Sequence, residues 1–126
     1  MSPIATRRLF QSAAIFNFLA GLPILLAGRQ MAAVMGVDGV QETLAFTQVT
    51  GLAIIGFGWG YWMVAMDPVR NRAIVVLGLA LKLCFVAVAV GNWLVGTINP
   101  LLPLLALGDV VYAWLFWRHL RQPIAR

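Results

Sequence analysis

Charge is scarce in this sequence. Only 10% of its 126 residues are charged, and four are acidic. A soluble domain carries roughly a quarter charged residues. Its 62% hydrophobic content exceeds what a small globule can hide, because a short chain covers only part of its area on folding. A single domain embedded in a lipid bilayer is expected. The lone cysteine, Cys84, rules out an internal disulfide. The lone histidine, His119, and the few acids supply no zinc or di-iron ligand set. No glycine-rich phosphate loop, nucleophile elbow or Cys-x-x-Cys motif occurs. Nucleophilic and metal-assisted catalysis have nothing to act with, so a non-enzymatic role is expected. No cofactor is required, though a quinone or another apolar ligand is compatible with so hydrophobic a chain.

Four stretches are apolar over the roughly 20 residues that a bilayer span needs. They cover about residues 9–27, 43–66, 73–95 and 101–117. The connections at 67–72 and 96–100 are too short for anything but antiparallel neighbours. No strand-like alternation is present, which leaves helices as the spanning element. The expected fold is an all-α membrane protein, a four-transmembrane-helix antiparallel bundle over residues 1–126. Residues 1–18 pair two arginines with an apolar run, as a signal peptide does. The run continues too far and no small-x-small site follows, so it reads as the first span. Ser2-Pro3, Asp67-Pro68 and Asn99-Pro100 each place a capping side chain before a proline, which marks helix starts. Asp38 with Gln41 offers a further cap for the second span, and Gln122-Pro123 a stop for the fourth. Pro23 is expected to kink or end the first helix.

With the N-terminus cytoplasmic, Arg7, Arg8, Arg70, Arg72, Arg118, Arg121 and Arg126 lie inside, and Arg29 alone lies outside. That asymmetry predicts both termini in the cytoplasm. It accounts for the net charge of +5 without nucleic acid and places anionic lipid headgroups at the cytoplasmic arginines. Trp62, Trp114 and Trp117 fall near the inner interface and Trp93 near the outer one, while Trp59 is expected to pack between helices. Residues 29–37 form the outer connection, either as a short interfacial helix or as a loop that plugs the bundle end.

Lys82 is the only lysine and lies near the middle of the third span; Asp109 lies near the middle of the fourth. Counted from the hairpin bend, they differ by roughly 5 Å of depth, which a lysine stem covers. An unpaired charge at mid-bilayer costs about 2.5–3.5 kcal/mol on insertion scales. The two residues are therefore expected to face each other inside the bundle. Two readings of the pair stand: a ligand or proton site, or a structural pair that sets helix register. A Schiff base to a retinal-like carbonyl is chemically open to a lysine, but four helices without a chromophore box argue against it.

Other polar residues accompany the pair. Asn17 lies near mid-depth in the first span, Gln48 and Thr50 in the outer half of the second, Asn92 in the outer part of the third, and Tyr112 one turn after Asp109. Together they would line a polar cavity open to the outside; separately, each would make an interhelical hydrogen bond of about half a kcal/mol. Gly51, Gly56, Gly58 and Gly60 form a close-packing run, with Gly56 and Gly60 at small-x-x-x-small spacing. It serves either bundle packing or dimerisation.

The second span, Phe46-Thr47-Gln48-Val49-Thr50-Gly51 through Gly56-Phe57-Gly58-Trp59-Gly60-Tyr61, leads into Asp67-Pro68 and Asn71-Arg72. Gly78, Lys82, Gly108-Asp109 and Leu115-Phe116 follow. Over about residues 23–120, this resembles small bacterial four-helix membrane proteins akin to the DoxX-like group. The resemblance implies an inner-membrane protein, and some relatives are linked to oxidoreductase complexes with quinone or thiol chemistry. Three roles follow. The first is a binding or transport protein with a midplane Lys82–Asp109 site, which a chain this small would perform as a homodimer. The second is an accessory subunit of a larger membrane complex, with the pair structural. The third, an enzyme acting on a lipid or quinone, has the least support, since no nucleophile or metal site is present.

Overall fold

A computed structural model describes residues 1–37 and 43–122. It contains five helices: α1 (Pro3–Leu26), α2 (Gly28–Met35), α3 (Thr43–Met66), α4 (Arg72–Leu94) and α5 (Leu101–Leu120). No strand occurs among the described residues. All but α2 are long and apolar enough to cross a membrane, the mark of a multi-pass membrane protein.

The helix ends follow local chemistry. The Ser2 hydroxyl accepts the Ala5 N–H at 3.2 Å, with Pro3 at the first helical position, so α1 begins six residues before the expected span. Pro23 does not end α1, which continues to Leu26, and Ala27 N–H still donates to the Pro23 carbonyl at 2.8 Å. Asp67-Pro68 opens a turn instead of a helix. The Asp67 carboxylate accepts the Arg70 N–H at 3.0 Å, the Asn71 amide donates to the Met63 and Asp67 carbonyls, and α4 starts at Arg72. The cap expected from Asp38 and Gln41 lies outside the described residues, as do Pro123 and Arg126.

The segment expected to form the outer connection is helical and not a loop: Gly28–Met35 form α2, which ends at Gly36 in the left-handed conformation. They also close one end of the bundle. The Asn99 amide donates to the Val34 carbonyl at 2.6 Å while its oxygen accepts the Leu101 N–H at 3.0 Å. One side chain thus caps α5 and holds α2 against it. Arg29 sits at this end. At the opposite end, the start of α1, the turn before α4 and the end of α5 come together, with Arg72 donating to the Leu120 carbonyl.

The closest helix contact is between α1 and α3. A Cβ on Gly51 would lie 2.5 Å from the Leu25 nitrogen, and one on Gly58 would meet Phe18 at 2.8 Å and the Ala14 carbonyl at 3.2 Å. Gly21 faces the Gly51 carbonyl in the same way. Backbones this close gain dispersion contacts that bulkier residues would prevent. The Gly56/Gly60 pair does not make this contact, contrary to its spacing. Gly56 has no neighbour, and Gly60 meets only Ile74. The reason is rotation: Gly51 and Gly58 are seven residues apart and only about 20° out of register, whereas Gly56 is turned about 140° from Gly51. Trp59 also departs from expectation. It is 63% exposed on the outer surface of α3 and is not packed between helices. Between α1, α3, α4 and α5 a core forms from Leu9, Phe10, Ala13, Ala14, Tyr61, Val64, Val75 and Phe116. Its centre is aromatic: Phe116 packs on Phe10 at 5.1 Å and edge-on to Tyr61 at 5.0 Å.

Gly51→Ala is expected to force α1 from α3 and to lower stability by about 1–3 kcal/mol. Gly56→Ala is expected to be neutral. Denaturant titration of the micellar protein, followed by helical circular dichroism, compares the two. Equal losses would contradict the assigned contact face.

Candidate functional site

Lys82 is 5% exposed and lies on the inward stripe of α4 with Val75, Gly78 and Ala89. Asp109, 15% exposed at its side chain, shares the inward stripe of α5 with Ala106, Ala113 and Phe116. Spacings of three, four and seven residues keep each set on one helix face. The ammonium of Lys82 forms an ion pair with Asp109 Oδ1, the only ion pair among the described residues. The Asn17 oxygen lies 3.5 Å from Nζ, at the limit of a hydrogen bond. Asn17 is set by its other end: its amide donates to the Ile54 carbonyl of α3 at 3.1 Å, which turns the oxygen toward Lys82. The pair thus draws on α1, α4 and α5, and through Asn17 on α3.

Aromatic rings complete the enclosure. Nζ lies 5.4 Å from the Phe16 ring centroid, 5.5 Å from Tyr61 and 5.6 Å from Tyr112. A desolvated cation–π contact contributes about 2 kcal/mol, comparable to the insertion cost of a midplane charge. Rings and carboxylate together therefore offset the burial of the ammonium. Two glycines make room for the rings. A Cβ on Gly78 would lie 2.6 Å from the Tyr61 hydroxyl, and one on Gly108 would lie 2.6 Å from Phe16.

Of the residues singled out in the sequence, Lys82, Asp109, Asn17 and Tyr112 converge. Gln48 does not. It is exposed on α3, six residues before Ile54, about 9 Å along the axis. Thr50 and Asn92 do not bridge helices either. The Thr50 hydroxyl donates to the Phe46 carbonyl at 2.7 Å, and the Asn92 amide donates to the Val88 carbonyl at 2.9 Å. Such bonds to the preceding turn satisfy the side chain within its own helix, so these residues do not assemble an outer cavity. Phe16 and Tyr61 escaped the sequence reading as site residues. The available signal was a glycine one turn before Lys82 and another beside Asp109, each marking where a large neighbour enters.

Two open spaces lie elsewhere. A groove of about 440 Å³ occupies the arginine-rich end. A shallow depression of about 380 Å³ lies on the outer face of α4 and α5, by Leu83, Val110, Trp114 and Trp117. Neither is lined by Lys82 or Asp109. Asp109 Oδ2 has no hydrogen-bond partner among the described residues, so the carboxylate keeps one oxygen open. No group of three or more potential metal ligands occurs among the described residues. No protein family, curated protein or solved structure matches the chain.

Removing one partner strands the other charge inside the bundle. Lys82→Met or Asp109→Leu alone is expected to cost about 3–5 kcal/mol, and the double change Lys82→Met with Asp109→Leu to recover most of it. Unfolding titrations of the three variants form a double-mutant cycle. Additive losses would show that the pair is not energetically coupled.

Proposed function

We propose that this chain is a small multi-pass protein of the bacterial inner membrane, an antiparallel four-helix bundle with both termini in the cytoplasm. Its Lys82–Asp109 pair is a midplane site that binds or transports a small species, and a proton suits it best. The observation that carries this reading is the asymmetric carboxylate. One oxygen of Asp109 holds the ammonium and the other has no protein partner among the described residues. A proton reaching the open oxygen neutralises the carboxylate and releases the ammonium to the rings and Asn17. That is a change of one charge at the contact between α4 and α5, where low dielectric makes it count most. The close packing of three rings on Nζ suits a proton better than a larger ligand. The function requires no cofactor.

Sidedness rests on the arginines. Arg7, Arg8, Arg70, Arg72, Arg118 and Arg121 belong to the end that also carries the first and last described residues, against Arg29 at the other. Anionic headgroups are their natural counterions. Kinship with the DoxX-like group belongs to the same proposal.

A second reading has its own support. Gly56 has no neighbour, and Trp59 and Met63 stand exposed beside it on α3. A face of this kind suits a partner helix, in a homodimer or as an accessory subunit of a larger, redox-type membrane complex. The pair would then be structural.

Proteoliposomes with an internal pH dye and an imposed potassium diffusion potential separate the two. Wild type is expected to acidify the lumen faster than protein-free vesicles, and Lys82→Met and Asp109→Asn are expected to abolish the difference. Wild-type rates equal to those of empty vesicles would refute proton movement. A tightly held protein partner after gentle extraction, retained in both variants, would then favour the accessory role.

A further inference from the structure

The groove at the arginine-rich end gathers hydrogen-bond donors that the midplane pair does not use. Thr6 and Arg7 from α1, Arg72 from α4 and His119 from α5 border it, with an apolar floor that includes Ala65 and Val69. Its volume, about 440 Å³, falls within the range of small-molecule sites. No carboxylate lines it among the described residues. Asp67, the nearest acid in sequence, is engaged with the Arg70 N–H in the adjoining turn. Neither Arg7 nor Arg72 is ion-paired among the described residues. Arg72 donates once, to the Leu120 carbonyl, and the rest of its fork is unused among those residues.

Two further groups are left over. The Thr6 hydroxyl borders the groove with no protein partner among the described residues. His119 Nδ1 is buried with none, and leaving such an atom unpaired costs stability that a bound hydrogen-bonding molecule would restore. Uncompensated guanidinium groups, a hydroxyl and an imidazole around one concavity match an oxyanion with several acceptor oxygens.

We propose that this groove binds a phosphate group, carried either by an anionic phospholipid of the adjacent leaflet or by a free phosphate compound. The site is independent of the Lys82–Asp109 reading. Phosphorus NMR of the full chain in maltoside micelles tests it, with inorganic phosphate, dihexanoyl phosphatidylglycerol and dihexanoyl phosphatidylcholine as probes. Saturable line broadening of either anionic probe, without broadening of phosphatidylcholine, is the expected result. Broadening of phosphatidylglycerol alone assigns the headgroup as the source, and broadening of inorganic phosphate assigns the free anion.

Arg72→Gln is expected to weaken binding at least tenfold. Arg7→Gln and Thr6→Val, which break no hydrogen bond within the protein among the described residues, serve should Arg72→Gln misfold. Arg118→Gln changes an arginine stacked on Trp114 outside the groove and should leave binding unchanged. Absence of saturable binding, or an Arg118→Gln loss equal to that of Arg7→Gln, would overturn the proposal in favour of diffuse surface attraction.

Discussion

The buried ammonium of Lys82 is the constraint around which the bundle is organised. A charge in the middle of an apolar bundle needs partners from every direction, and this chain draws them from the three other long helices. Asp109 supplies the opposite charge from α5, and Asn17 supplies an amide oxygen from α1 that α3 orients through the Ile54 carbonyl. Phe16, Tyr61 and Tyr112 supply ring faces. Because these groups sit on different helices, satisfying one side chain fixes the relative rotation and height of all four.

The rings that enclose the charge also form the core. Tyr61 and Tyr112 contact both Lys82 and Phe116, and Phe116 passes the packing on to Phe10. The electrostatic site and the apolar core are therefore one structure. Gly78 and Gly108 belong to it by leaving space. The α1–α3 contact at Gly51 and Gly58 brings the backbones close enough for the short Asn17 side chain to reach Ile54. Without a hydrophobic force between helices in lipid, such contacts and buried polar bonds carry the specificity of packing.

The two ends of the molecule differ. One is closed by α2, held by Asn99 to the start of α5. The other holds Arg7, Arg72 and His119 around an open groove with an apolar floor. A molecule closed at one end and rich in cations at the other is polarised along its long axis. Any charge movement at Lys82 and Asp109 takes place between these unlike ends.

Sequence alone determined the number and approximate limits of the spanning helices, because a span needs a long unbroken apolar run and little else. It also determined that Lys82 and Asp109 belong together, because two isolated charges at similar depth on consecutive spans are costly apart. Asn17 and Tyr112 were legible for the same reason of depth. Gln48 was misplaced because depth does not reveal which way a residue faces. In helices this hydrophobic, the polar stripe that would report rotation is missing. Trp59 failed on the same point, turning outward where depth suggested packing. Asp67-Pro68 made a turn because Asn71 captured the carbonyls behind it, a competition invisible in a capping rule. Only the tertiary structure decided the aromatic enclosure of Lys82 and the donor-lined groove at Thr6, Arg7, Arg72 and His119. Both are assembled from residues far apart in the chain, and only helix rotation and packing bring them to one place.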